Sequence, residues 1–139
     1  PTAEDALYGV GQAKKQNPSL AKQAATARAR NEISQAVNVK VSGMLKDFMQ
    51  ESGVGDNAQA LEFTESVTKQ VTANALKGSI VTEAYVAKDG TMFVLVEYPL
   101  VSMRQDALNA AKKEEALYNE FKAQQGFDAL EQEIDKLEN

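Results

Sequence analysis

The chain has 139 residues, enough for one domain that buries its own core. It contains no Cys and no His, which removes disulfides, thiolate metal sites, a catalytic thiol and the commonest general base. A formal net charge of −5 without a basic patch is a poor match to nucleic acid, and no apolar run approaches the ~18 residues of a membrane-spanning helix.

Residues 1–6 read as an arm. Residues 7–13, Leu7-Tyr8-Gly9-Val10-Gly11-Gln12-Ala13, alternate larger and smaller side chains and read as a strand. Gly9 and Gly11 fit an element packed closely over that strand, a bend in it, or a Gly-rich nucleotide loop, although the third Gly of such a loop is missing. Asn17-Pro18 then starts a helix: Asn caps free N–H groups, and Pro loses nothing at the first helical position. Ala21, Ala25, Ala29, Ile33, Ala36 and Val37 form a stripe at helical spacing, small enough for the helix axis to lie close to a sheet. Val37, Val39 and Val41 also alternate as a strand would. Val37, Val41, Met44, Leu45, Phe48 and Met49 keep helical spacing, so the helix is expected to reach Gln50, straight or bent near Gly43.

Residues 52–57 are a loop by composition. Asp56 or Asn57 is expected to cap a second helix with Ala60, Phe63, Val67, Val71 and Ala75 on its buried face and Gly78 as its C-terminal cap. Residues 80–98 read as a β-hairpin turning at Asp89-Gly90. A two-residue turn there sets Glu83 opposite Val96. Val94 and Val96 point to one side of the second strand, with Phe93, Leu95 and Glu97 on the other. Its apolar run suits a central strand, and Pro99 stops it. Ser102-Met103-Arg104-Gln105 matches a capping box and opens a third helix, with Ala107, Leu108, Ala111, Tyr118 and Phe121 on its apolar side. Gln124-Gln125-Gly126 can interrupt that helix. The expected class is α+β: a small antiparallel sheet, made of the N-terminal strand and the C-terminal hairpin, packs against a long helix and a second helix. Residues 1–103 form that domain, and residues 104–139 a C-terminal helical extension on the domain or on a partner.

Candidate chemistry is sparse. Glu83 and Glu97 are the acids of the hairpin strands, and paired carboxylates can do acid–base work, but charged strand residues also serve solubility and edge protection. Lys14, Lys15, Arg28, Arg30 and Arg104 offer charge for an anion near the helix start at Asn17, or an ordinary solvated face. Tyr8, Tyr85 and Tyr98 can stack a planar ligand or pack across strands. Met44, Met49, Met92 and Met103 are too dispersed for a copper site. Phe127, Leu130, Ile134 and Leu137 repeat at spacings of three, four and three on an acidic segment. Such a stripe needs a cover, either the chain's own domain or a partner, and these four are the candidate partner-binding residues. No catalytic, cofactor-binding or metal-binding residue is assigned, no cofactor is expected, and the chain is not read as an enzyme.

Several stretches together resemble the Lpp-twenty-type bacterial lipoprotein family. They are Ala6-Leu7-Tyr8-Gly9-Val10-Gly11, the Ala/Arg-rich helix from Ala21 to Ala36, Phe63-Thr64-Glu65-Ser66-Val67-Thr68-Lys69-Gln70-Val71, and Asp89-Gly90-Thr91-Met92-Phe93-Val94-Leu95-Val96. The resemblance covers about residues 6–103 and leaves the tail outside. It implies a small exported envelope protein of the outer membrane or periplasm, acylated on an N-terminal Cys, with relatives around the flagellar basal body. Because this sequence has no Cys, that residue would lie upstream of Pro1, or this member is not lipidated. The family layout is similar to dodecin-like β-α-β-β folds. The resemblance implies a structural or assembly component, a homo-oligomer or a partner of other envelope proteins, attached to the membrane only through the lipid. The alternative is a dodecin-like module for a small ligand. No catalytic residue carries over.

Overall fold

The computed structural model describes residues 5–51, 58–114 and 126–138. Strand β1 is Ala6–Ala13, helix α1 is Pro18–Glu51 and helix α2 is Ala58–Gly78. Strands β2, Ile80–Val86, and β3, Met92–Pro99, form the hairpin, and helices α3, Leu100–Lys113, and α4, Gly126–Asp135, follow. The class is α+β, as expected. The sheet is antiparallel with the order β1-β3-β2, so β3 is central.

Helix α1 begins where Asn17 predicts. The Asn17 side-chain oxygen accepts hydrogen bonds from the Ser19 N–H at 2.8 Å and the Leu20 N–H at 3.4 Å, relieving two of the donors a helix start leaves unpaired. The helix runs unbroken through Val37–Met49, which settles the strand alternative in favour of helix. Its 34 residues span about 51 Å, roughly twice the length of the eight-residue strands below it. The Ala half lies on the sheet, with Ala25 and Ala29 against Gly11 and Gly9, and α1 packs against α2 and α4 as well. Gly9 and Gly11 explain the close approach. A Cβ on Gly9 would collide with the Ala29 carbonyl oxygen, and one on Gly11 with the Ala25 carbonyl oxygen. Of the readings open for these glycines, close packing is the one observed.

The buried face of α2 is as expected, with Ala60, Phe63, Val67, Val71 and Ala75 enclosed, and this helix packs on α1 and α3. Its cap at Asp56 or Asn57 lies outside the described residues, as do Tyr118 and Phe121. Gly78 ends α2 without the left-handed backbone of a Gly cap. Among the described residues, Gly90 is the glycine with positive φ, at 90°, and the Ser79 N–H simply continues the helical bonding to the Ala75 carbonyl.

The hairpin differs in detail from the two-residue turn. The Ala87 N–H donates to the Thr91 carbonyl at 2.8 Å and the Gly90 N–H to the Ala87 carbonyl at 2.9 Å. The loop is therefore three residues, 88–90, with Gly90 taking the left-handed position that this loop length requires. Asp89 Oδ1 also accepts from the Thr91 N–H at 2.9 Å. The longer loop shifts the register by one, so Glu83 faces Leu95 rather than Val96, and a bulge at Thr82 shifts it again, leaving Val81 opposite Val96. The faces of β3 are as expected: Met92, Val94, Val96 and Tyr98 are buried, and Phe93, Leu95 and Glu97 line the other side.

The third helix starts at Leu100, two residues ahead of the capping box, with Pro99 at the cap position and no side-chain cap bond. Burial of both Tyr98 and Leu100 joins strand directly to helix, and the Leu100 N–H donates to the Asp5 carbonyl at 2.9 Å, leaving Ser102 no capping work. The division at residue 103 thus falls inside α3.

Candidate functional site

The sheet is covered unequally. Helix α1 lies over β1 and β3, whereas nearly every residue of β2 is exposed, with Val81 half-buried. Ile80, Tyr85 and Val86 expose 58, 62 and 56% of their surfaces, an uncommon load of large apolar groups for one seven-residue strand.

The two edges also differ. On β1 the Val10 N–H donates to Glu32 Oε1 at 3.3 Å, and Arg28 Nη1 donates to the Gln12 carbonyl at 2.6 Å. Both side chains reach down from α1 and occupy main-chain groups that a foreign strand would need. On β2 no side chain among the described residues does this. Thr82 Oγ1 donates to the carbonyl of Leu95 on the neighbouring strand, at 3.4 Å.

Register places Tyr8, Val10 and Gln12 of β1, Phe93, Leu95 and Glu97 of β3, and Glu83 and Tyr85 of β2 on the sheet face opposite α1. The Tyr85 and Phe93 rings meet at 5.9 Å and 39°, beside a hollow of about 340 Å³ lined by Glu83, Ala84, Tyr85, Phe93 and Leu95. Desolvation, and then the Glu97 carboxylate opposite it, raise the Tyr8 phenol above its ordinary value. Glu83 and Glu97 share this face without opposing each other: Glu83 faces Leu95, and Glu97 sits between Tyr8 and Ile80. Tyr98 does not belong to it. That ring is buried under the sheet, with its hydroxyl donating to Asp106 Oδ2 at 2.6 Å.

The cations singled out in the sequence are dispersed. Arg28 serves the β1 edge, Arg104 Nε donates to the Leu137 carbonyl at 2.7 Å, and Arg30 Nη2 donates to the Ser79 carbonyl at 3.3 Å. One feature was missed. A groove of about 490 Å³ runs along the N-terminal half of α1, lined by Ser19, Lys22, Thr26, Arg30 and Leu76 among others. Arg30 Nε is buried beside it without a partner. The four-residue spacing of Lys22, Thr26 and Arg30 could have flagged a polar strip on one helix face. Among the described residues no cluster of acids could hold a metal ion.

The tail stripe turns inward. Leu130, Ile134 and Leu137 are buried in the chain's own core, where α4 packs on α3 and α1. The Phe127 side chain lies outside the described residues. These three side chains are therefore spoken for within the molecule. Exposed large apolar side chains are spread over β1, α1, α2, β2 and α3, and β2 carries three of them, Ile80, Tyr85 and Val86.

No helix among the described residues is long and apolar enough to cross a membrane. A family model for LPP20 lipoproteins matches residues 1–98. No curated protein matches the chain.

Proposed function

The chain belongs to the LPP20 lipoprotein family, bacterial cell-envelope lipoproteins, and from that premise we propose that it is a non-enzymatic assembly component, held by a lipid at the outer membrane and acting by association with itself or with other envelope proteins. The observation that carries this reading is strand β2, exposed on both faces, with an edge that no side chain among the described residues guards, and bearing Ile80, Tyr85 and Val86. An unpaired edge offers main-chain bonds to a further strand, and exposed apolar side chains along it add surface that such a contact would bury. A photo-crosslinking residue at Tyr85, in the protein expressed in its native envelope, is expected to give a discrete adduct. The same residue at Asn74, exposed on α2, is expected to give none. A Tyr85 variant without adducts would refute association through the hairpin.

One observation favours a second reading, a module for a planar ligand: the hollow beside Tyr85 and Phe93. Burial of Tyr98 leaves it a smaller aromatic surface than three tyrosines would give. A free flavin that raises the melting temperature in proportion to its concentration would support this reading; an unchanged melting temperature would count against it.

A further inference from the structure

We propose that β2 is the contact strand of a closed dimer, pairing antiparallel with β2 of a second copy about a twofold axis at Tyr85; this deepens the association reading above and rests on it. The argument begins with main-chain direction. Val10 and Gln12 turn main-chain groups outward from β1. By antiparallel alternation, their partners Leu95 and Phe93 bond the other way, toward β2, through Glu83 and Tyr85. Ala84 and Val86 therefore turn their N–H and C=O groups to the open side.

The bulge at Thr82 breaks the regular ladder, so the usable edge begins at Glu83. Twofold symmetry restricts the registers. Centring on Glu83 opposes two carboxylates, which is unfavourable. Centring on Ala84 allows Ala84 to exchange bonds only with itself within the regular stretch, and sends Val86 to the bulge. Centring on Tyr85 lets Ala84 and Val86 exchange both main-chain bonds with Val86 and Ala84 of the partner subunit. It sets Tyr85 against Tyr85 of the partner subunit, an aromatic pair at a close, non-hydrogen-bonded position, and moves Glu83 opposite the partner's Ala87.

The second copy is favoured over an open chain of copies by the other edge. Head-to-tail growth needs β1 to accept β2, and Arg28 and Glu32 already occupy β1. An isologous contact, the same surface on both subunits, remains. It joins two three-stranded sheets into one of six.

The test uses the absence of native Cys. Absolute mass is measured over a dilution series for the 139-residue chain and for Tyr85→Glu, which puts two carboxylates on the axis at an exposed position. Tyr85→Cys and Ala84→Cys are oxidised in parallel, because Cβ atoms are closest at the non-hydrogen-bonded pair. Expected are a twofold rise in mass with concentration, its loss in Tyr85→Glu with unchanged helical circular dichroism, and a disulfide dimer from Tyr85→Cys in large excess over Ala84→Cys. Ala84→Pro, which removes an outward N–H and leaves the bonds of β2 to β3 in place, is the second variant and is also expected to be monomeric, with unchanged helical circular dichroism. Association that survives Tyr85→Glu and Ala84→Pro would overturn this contact and leave the association reading standing. A monomer at every concentration would overturn the dimer as well, and a Tyr85 photo-adduct in the envelope would then assign the edge to a different protein.

Discussion

Gly9 and Gly11 sit against the backbone of α1, so a methyl group at either has no flexible neighbour to push aside. Gly9→Ala and Gly11→Ala are each expected to destabilise the chain by about 1–3 kcal/mol or more, read as a lower urea midpoint. Gly43 provides the contrast. Nothing lies within 4 Å of a Cβ built there, so Gly43→Ala should stabilise by roughly 0.5–1 kcal/mol, the ordinary cost of a helical Gly. The sequence placed Gly9 and Gly11 in a strand and Gly43 in a helix, but close packing at the first two could not be told from a bend or a Gly-rich loop, because the distinction lies in what packs above each. Tyr98 gives a pH test. Burial first, and then its bond to Asp106, raise the phenol well above its ordinary value. The folded state thus holds the neutral form, and this contribution is complete below the unfolded value of about 10 and declines as pH rises beyond it. Tyr98→Phe should cost about 1–3 kcal/mol at neutral pH. Above pH ~10 the gap to the parent chain should close by about 1.4 kcal/mol per pH unit. A gap constant from pH 7 to 11 would refute the assignment.

Helix α1 shows why element-level patterns read well from sequence while partners do not. Its buried residues step by four from Ala21 to Leu45, and each step turns about 40° beyond a full rotation. The stripe therefore winds around the axis, facing the sheet at one end and the other helices at the opposite end. Spacing alone identified the helix, but only the fold says that one stripe serves two layers. The hairpin strands were legible for the same reason, whereas their register hung on one loop residue, and the start of α3 hung on Pro99 rather than on the Ser102 box. The stripe on α4 was legible as amphipathic, but an amphipathic face looks the same whether it covers its own core or another protein's. Because Leu130 and Ile134 are fully enclosed, Leu130→Ala or Ile134→Ala is expected to destabilise by about 2–5 kcal/mol, while Lys136→Ala, with its side chain 73% exposed, stays within ~0.5 kcal/mol. Chemical denaturation of the three variants separates a structural tail from a free one: equal midpoints would return α4 to the candidate docking surfaces.

At the scale of the whole molecule, the sheet has one face under α1, one open face, and two edges treated differently. Membership of the LPP20 family sets the protein in the envelope, where a lipid can hold it while the domain itself carries no spanning helix among its described residues. Raised local concentration at a membrane makes an unguarded edge consequential, because weak pairing is then driven by effective concentration. It also makes the guarded edge consequential. If both edges were bare, β1 of each copy would accept β2 of the next, and a heterologous contact that does not close grows without limit. In the proposed dimer, Arg28 and Glu32 are assigned the block, because they hold the Gln12 carbonyl and the Val10 N–H. Val10 is itself 51% exposed, so the side chains beyond the edge offer little further protection. The double variant Arg28→Ala, Glu32→Ala removes two exposed bonds from the surface and should shift stability by only about 1 kcal/mol. Its effect on assembly should be disproportionate: light scattering is expected to show species larger than a dimer, increasing with concentration, while the parent chain stops at two copies. Adding Tyr85→Glu to the double variant should remove those species, because head-to-tail growth needs the same β2 edge. Large species that persist with Tyr85→Glu would mean that growth proceeds elsewhere on the surface, and a double variant no larger than the parent would mean that α1 blocks β1 by its bulk rather than by these two side chains.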